Sequence, residues 1–379
     1  MKGRYKYKHM NNDLKRYDEN GILKEDLSDG YYHVLKDIED YPDAWCIVAY
    51  SKRGTGKTYS ALWTGYWKHI KIAYMKRTND DVKLICKYDS KNKFDLSPYV
   101  AVNRDKGTNV HPRLIDKGIG GFYIGENEDD VKGAPIGLIF SLNAIKSIKG
   151  IEASDCDWMI LDEFIPQQGE VVKHAEGDML LDLYMTLSRD REDRGKPPLK
   201  LILFANAEDI VCPIASTLEI VDDLAELTAS GKTHKFLEDR GILLHHVIEY
   251  KTSENQKRGI YKAMKDTAWG RKSFEGDFAN NDFSNVVKRS VKRMSPFIHL
   301  HYKNYDWYVY IDKNGAYYMS KTKQRCPYEY DLNTENHQKG FYIDFGIDLR
   351  NGCIDGNMKF ETYSMYDIIV NYKKRFELW

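Results

Sequence analysis

Lys57 and Thr58 close the stretch S-K-R-G-T-G-K-T, which runs from Ser51 to Thr58. The pattern is G-x-x-x-x-G-K-[ST], with Ser51 standing where the first glycine would be. A loop of this kind turns successive backbone N–H groups toward one point, and the N-terminus of the helix behind it adds its dipole. Together they make a concave anion site. Lys57 would reach the β- and γ-phosphates of a nucleotide, and Thr58 would ligate Mg²⁺. Gly54 and Gly56 would let the backbone approach the phosphates in unusual dihedrals. Ser51, Lys52, Arg53, Gly54, Thr55, Gly56, Lys57, Thr58 and Tyr59 are therefore the candidate nucleotide-binding residues, with ATP and Mg²⁺ as the expected ligands. The competing reading is a turn that starts a helix. Arg53 would add charge to the phosphate cradle or reach outward to a neighbour.

Two carboxylates form the second constellation. "WMILDEF" carries four apolar residues into Asp162 and Glu163. A carboxylate at the C-terminal end of a strand points at the crevice where open α/β sheets bind ligands. Asp162 would complete the Mg²⁺ shell, and Glu163 would polarise a water for attack on the γ-phosphate. The adjacent Asp-Glu pair marks NTPases that place an additional strand between the phosphate-loop strand and the carboxylate strand. The competing reading is a solvated strand end.

"TLSRDREDRG" ends a helix with Arg189, Arg191 and Arg194, where cations suit the helix dipole. The sharper reading makes Arg189 an arginine finger toward a neighbouring subunit's nucleotide, with Arg191 as the second candidate. Asn206 ends "LILFAN" and would sense the γ-phosphate or orient the water; otherwise it is a turn residue. Lys76 and Arg77 end "IKIAYMKR" on the same crevice side. They either transmit nucleotide state or form a solvated strand end. The catalytic set is thus Glu163, Arg189, Lys57 and Asn206, and the metal set Thr58 and Asp162.

The elements that must position these residues are legible in outline. "AWCIVAY", "IKIAYMKR", "PIGLIFSL", "DWMILDEF", "LKLILFAN" and "GILLHHVIEY" are short apolar runs without alternation, the pattern of strands buried on both faces. Helices are expected from about Lys57 to Lys68 and between Asp178 and Asp193, where Leu180, Leu183, Tyr184 and Leu187 share a face. Glycines in 88–135 suggest hairpins. Buried strands separated by helix-length segments indicate a mostly parallel α/β sheet. The character changes near residue 251, where "KTSENQKRGIYKAMKD" reads as polar and helical. From Pro296 strands break at Asn304 and Asn314-Gly315, a hairpin signal. The expected division is an ATPase domain over 1–230 with a strand to about 250 completing it, a linker or helical hinge over 231–260, and a smaller β-rich domain over 261–379.

These signals in this order resemble the DNA-packaging ATPases of small tailed phages of the phi29 kind. The matching pieces are "RGTGKTYS", "YMKR", "WMILDEFI", "SRDRE" and "FANA", spread over about Val48 to Pro213. The family usually carries Gly where Ser51 stands. The resemblance implies a P-loop ring ATPase of the additional-strand, catalytic-Glu type, pentameric in that family. It implies a motor that pushes double-stranded DNA into a procapsid, docked on the portal, through a structural packaging RNA where the phage has one. It implies Lys57 and Thr58 in the phosphate loop, Asp162 and Glu163 as the metal and catalytic carboxylates, Arg189 as trans finger and Asn206 as sensor. It implies a C-terminal domain like a degenerate RNase H-type nuclease. Asp306 and Asp312 show no two-metal spacing, so nuclease activity is not expected. The expected location is the host cytoplasm, transiently on the procapsid.

Translocation needs phosphate contacts rather than base reading. Lys83, Lys87, Lys91, Lys93, Arg104 and Lys106 are candidate channel residues, with a solvated charge run as the alternative. "VVKRSVKRM" and "HLHYKNYDWY" suit nucleic-acid contact and a solvated face equally well.

Composition bounds these readings. The 379 residues carry 57 acidic and 57 basic side chains, so any basic surface is local. The six cysteines are scattered without a C-x-x-C pair, which fits a reducing compartment. No apolar N-terminal core and no long apolar run point to secretion or a membrane span. The alternatives to a duplex translocase are a helicase-like ring ATPase and a non-hydrolytic nucleic-acid-binding scaffold. The adjacent Asp162-Glu163 argues against the scaffold.

Overall fold

The computed structural model describes residues 14–89, 94–125, 133–144, 153–167, 170, 172–191, 193–206, 208–248, 263–264, 266–267, 281 and 283–378. The chain forms two compact units, Met1–Leu218 with Ser230–Ala279, and Glu219–Ala229 with Asn280–Trp379.

The first unit begins with a small antiparallel pair, β1 Lys15–Tyr17 and β2 Leu23–Asp26, then helix α1 Val34–Asp40. Its centre is β3 Cys46–Ser51, α2 Lys57–Trp67 and β4 Ile72–Lys76. Helix α3 Asn79–Ile85, the short pair β5 Tyr88–Asp89 and β6 Phe94–Asp95, and helix α4 Val100–Lys106 follow. Then come β7 Val110–Asp116, β8 Ile119–Ile124, β9 Gly137–Ser141, β10 Trp158–Asp162, α5 Glu176–Ser188, β11 Lys200–Asn206, the short helix Pro213–Thr217, β12 His234–Leu237 and β13 Ile242–His246.

Nine of these strands make one sheet in the order β12-β13-β3-β11-β10-β4-β9-β8-β7. The run from β13 to β9 is parallel, and the antiparallel pairings lie at the two edges. Every residue of β3 is buried, as its unbroken apolar run requires of a strand covered on both faces. Ala49, Ile160, Ile202 and Phe204 from the sheet pack in one cluster with Ala61 and Leu62 of α2. The strand β11 lies between β3 and β10. That is the position the Asp162-Glu163 pair calls for in the sequence. The Gly-rich segment after α4 forms the hairpin β7–β8, as its glycines suggest.

Two expectations change. The strand expected toward 250 is present as β13, with Ile242, Leu243 and Leu244 buried and paired in parallel with β3. What changes is the segment from 231 before it, expected as linker or hinge, which adds the antiparallel edge strand β12 to the same sheet. The helix Val221–Ser230 starts in the second unit rather than the first. There the Asp222 carboxylate accepts hydrogen bonds from Ser364 N at 2.8 Å and Ser364 Oγ at 3.0 Å. The polar stretch "KTSENQKRGIYKAMKD", read as helical, lies almost wholly outside the described residues.

The second unit holds a five-stranded sheet of β14 Ser295–Tyr302, β15 Tyr305–Ile311, β16 Tyr317–Ser320, β17 Tyr328–Asp331 and β18 Met358–Phe360, ordered β17-β14-β15-β16-β18. Its hairpins turn at Asn304 and at Asn314-Gly315, as expected; Gly315 takes φ 83°. Helices Glu335–Phe341 and Ile347–Ile354, joined through a π-helical turn, and Tyr363–Val370 cover the sheet. The unit is therefore less purely β than its hairpins suggest. Leu349, Met365, Ile368, Ile369 and Tyr372 supply the helical side of its core.

Candidate active site

The apolar strand β3 ends at Ser51, and the chain leaves it through the loop Lys52–Gly56 into α2. Gly54 and Gly56 take φ 78° and 92°, the left-handed region that favours glycine. Ser51 is absent from that region, so the position of the missing glycine makes no conformational demand on its residue. Its hydroxyl has its own role: it accepts a hydrogen bond from Lys57 Nζ and lies 2.9 Å from Thr55 Oγ1.

Lys57 is 7% exposed. Its ammonium donates to Ser51 Oγ, to the Lys52 carbonyl at 3.4 Å and to Thr55 Oγ1 at 3.5 Å, all neutral oxygens. Burial lowers its pKa from the ordinary lysine value to about 8, against the opposing attraction of Asp162 and Glu163. A buried ammonium held by neutral oxygens is incomplete without an anion.

Parallel pairing of β10 with β11 and of β11 with β3 brings the carboxyl ends of three strands together. Asn206 of β11 stands opposite Ser51 of β3. The result is an open cavity of about 250 Å³ lined by Arg53, Gly54, Thr55, Gly56, Lys57, Thr58, Tyr59, Asp162, Glu163 and Asn206. Thr58 Oγ1 donates to Asp162 Oδ2 at 2.9 Å, and the Tyr74 hydroxyl donates to the same oxygen at 3.2 Å. The volume accommodates a polyphosphate with its metal rather than a whole drug-sized ligand, for which pockets of about 300–1,000 Å³ are usual.

Glu163 adopts φ 59°, a strained conformation for a residue with a Cβ, worth about 1–3 kcal/mol. A frame over-determines it. The Arg77 guanidinium donates to the Glu163 carbonyl at 3.2 Å and the Phe164 carbonyl at 3.1 Å. The same group is anchored by Glu176 at 2.5 Å and Glu170 at 2.8 Å. Phe164 N donates to the Phe204 carbonyl at 3.0 Å. On the side chain, Gln167 Nε2 donates to Glu163 Oε1 at 3.3 Å, and Lys76 Nζ lies 4.0 Å from Glu163 Oε2. Arg77 is thus a clamp on the backbone of Glu163, and Lys76 is the residue at the carboxylate.

Sequence reasoning passed over Tyr74 and Gln167. A tyrosine inside the apolar run "IAYM" is a usable signal, because a buried phenol needs a partner. Nothing in the local sequence marks Gln167.

The two finger candidates separate cleanly. Helix α5 ends at Ser188, five residues short of its expected end, because Arg189 is extended (φ −53°, ψ 135°) and Asp190 left-handed (φ 57°). Arg189 is exposed at this break. Arg191 is 1% exposed. It donates to the carbonyls of Pro197 at 3.0 Å, Ser154 at 3.0 Å and Cys156, and pairs with Asp157 at 2.9 Å. Arg191 does not suit a finger: four of its five N–H donors are taken by partners within the fold, and the side chain is buried. Arg191→Ala leaves three carbonyls and the one-third exposed Asp157 without this partner, so unfolding free energy falls by about 1–3 kcal/mol. Arg189→Ala changes it by less than about 0.5 kcal/mol. Denaturant titration of both variants measures the difference.

Among the channel candidates, Lys83, Lys87, Arg104 and Lys106 are exposed, on or beside α3 and on α4. Arg104 pairs with Asp105 at 2.8 Å, and Lys106 Nζ sits 4.9 Å from the Trp63 ring centre. Lys91 and Lys93 lie outside the described residues. In the second unit His299 and His301 both reach Asp306 Oδ1, at 2.7 and 3.1 Å, and Asp312 Oδ1 accepts from the N–H groups of Asn314 and Ala316. Both carboxylates serve the hairpins that carry them.

No protein-family model and no curated protein matches the sequence. Solved structures do match. The fold is shared with phage packaging motors. The bacteriophage Phi-29 viral genome packaging motor assembly aligns with a TM-score of 0.61 at 17% identity, over 92% of this chain and 99% of that one. The Phi-28 gp11 DNA packaging motor gives 0.54 at 15% identity, over 93% of this chain and 99% of that one. At such identities the agreement is one of fold.

Proposed function

We propose that this chain is the ATP-hydrolysing subunit of a ring motor that drives double-stranded viral DNA into a procapsid. The observation that carries the reading is the convergence of Lys57, Thr58, Asp162, Glu163 and Asn206 on one cavity, in a fold shared with phage packaging motors. The additional strand β11 between β3 and β10 supports assignment to the catalytic-Glu P-loop type.

The residues fit Mg·ATP on their own chemistry. Among the described residues, the buried Lys57 ammonium has no anionic hydrogen-bond partner, and the two left-handed glycines keep the loop backbone open to phosphate oxygens. Thr58 Oγ1 and Asp162 Oδ2 present adjacent hard oxygens, the donor type Mg²⁺ takes. When bound, Mg²⁺ neutralises charge on the phosphate oxygens. Lys57 then holds the β- and γ-phosphates, and the first-turn N–H groups of α2 face the same oxygens. Glu163, held by its frame, orients the attacking water and takes its proton. Asn206 positions that water or reports the γ-phosphate. Arg189, exposed where α5 breaks, acts on a neighbouring subunit's nucleotide. Arg53, exposed at the cavity rim, is the second residue available to a neighbour.

The same reading places the chain in a pentameric ring on the portal, with or without a packaging RNA, in the host cytoplasm. Lys83, Lys87, Arg104 and Lys106 are its candidate DNA contacts among the described residues, and nuclease activity is not expected of the second unit. No helix among the described residues is long and apolar enough to cross a membrane.

ATP hydrolysis measured with and without duplex DNA tests the reading. Turnover rises with duplex DNA and less with single strands. A preference for single strands makes the chain helicase-like, and absent turnover makes it a scaffold. For the finger, subunits carrying Arg189→Ala are mixed with subunits carrying Glu163→Ala. Mixed rings recover part of the turnover if Arg189 works in trans; intact rings with no recovery at any ratio sink that role.

A further inference from the structure

Away from the phosphate cavity, Asp37, His234 and His245 converge so that a carboxylate oxygen and two ring nitrogens lie within 4.8 Å of one another. Asp37 comes from α1, and the histidines are directly opposed cross-strand partners on β12 and β13. His245 Nδ1 is 2.8 Å from Asp37 Oδ2 and 3.0 Å from Oδ1. His234 Nε2 is 3.5 Å from Asp37 Oδ1, at the long limit of a hydrogen bond. Ligand atoms bonded at the usual distances around a tetrahedral Zn²⁺ stand about 3.3 Å apart. The His234–Asp37 separation of 3.5 Å matches that spacing, while the His245–Asp37 separations of 2.8 and 3.0 Å are a hydrogen bond that a bound ion replaces.

The surroundings orient two of the three ligands, Asp37 and His234, as metal sites require. The Tyr32 hydroxyl donates to Asp37 Oδ2 at 2.9 Å. Thr233 Oγ1 lies 2.9 Å from His234 Nδ1, which leaves Nε2 facing the carboxylate. Outer partners of this kind fix the carboxylate and the imidazole tautomer around a metal. The side chains of Asp37 and His245 are 3% and 2% exposed, whereas His234 is 31% exposed on an edge strand, which gives an ion its way in. The two rings lie close, with centroids 3.8 Å apart.

We propose that Asp37, His234 and His245 bind one Zn²⁺ per chain. Two imidazoles and a carboxylate form the borderline donor set Zn²⁺ prefers, and three protein ligands leave one position for water. The ion pins α1 to the edge of the large sheet. It also reaches the phosphate loop, because Tyr32 donates its backbone N–H to the Thr55 carbonyl at 3.0 Å. The site shares no residue with the phosphate cavity and stands independently of the ATPase reading.

The test uses the full chain, stripped by chelator and titrated with Zn²⁺ alone against a chromophoric competitor. One equivalent binds, and Tm rises with zinc. His234→Ala, on an edge strand and partly exposed, folds without metal and binds at least about 100-fold more weakly, with the Tm shift lost. Asp162→Asn in the phosphate cavity keeps the equivalent. The proposal is overturned if the wild-type chain takes up no stoichiometric zinc, or if His234→Ala binds as tightly as wild type. It is equally overturned if the equivalent is lost from Asp162→Asn and kept in His234→Ala.

Discussion

Lys57→Ala lowers ATP turnover by about 10²–10³-fold, the cost of removing one preorganised group from developing charge, while leaving the fold at least as stable. Retained stability separates a functional lysine from a structural one. Among the described residues of this unit, Arg191 and Lys57 are the buried arginine and lysine. Arg191 pairs with Asp157 and three carbonyls, so the fold depends on it. Lys57 meets only neutral hydroxyls and a carbonyl, and burial pushes its pKa down to about 8. A base whose pKa falls on folding is a net burden to the folded state: its ammonium is worse off inside than in water. Removing it relieves that burden. Steady-state ATPase assays beside thermal melts measure both halves. Unchanged turnover would refute the phosphate site, and a large loss of Tm would make Lys57 a structural residue.

Glu163→Gln lowers turnover by about 10²–10⁴-fold, the range for loss of a general base, with nucleotide binding retained. The amide keeps the size and the left-handed backbone of the original, because Arg77 holds the main-chain carbonyls rather than the side chain. Stability therefore changes little, and the variant accumulates bound ATP. Nucleotide binding by equilibrium titration, set against single-turnover hydrolysis, checks this. Equal loss of binding and hydrolysis would assign Glu163 to holding the nucleotide instead. The pairing of a strained backbone with four fixed partners of Arg77 is why the effect belongs to chemistry: strain of this kind persists only where surrounding structure enforces it.

Much of the large sheet is legible from the chain because its strands are apolar throughout and its loops are marked by glycine. "CIVAYS", "WMILD" and "KLILFAN" announce strands buried on both faces, and the residues at their ends are then the ones that face the crevice. The adjacent Asp162-Glu163 pair leads one to expect a strand between β3 and β10, and β11 stands there. Less legible is whatever depends on partners distant in sequence. Arg189 and Arg191 are chemically alike and two residues apart, yet a single left-handed residue at Asp190 leaves one exposed and turns the other inward onto Ser154, Cys156 and Asp157. The strand β13 is legible as an apolar run, but its place beside β3 and the pairing of the polar β12 against it are decided by the sheet.

By itself the sequence determined the phosphate-loop candidates, the paired carboxylates and a parallel sheet to carry them, because residue type and local periodicity suffice for those. Only the tertiary structure decided that Ser51 serves Lys57 through its hydroxyl, that Tyr74 and Gln167 join the site, and that Asp37 meets His234 and His245. Ser51 and Gln167 meet partners six and four residues away because of the shape the folded loop takes, while Tyr74 and Asp37 meet theirs across elements far apart in the chain. In each case the partner is chosen by the backbone path of the fold, which no local pattern records.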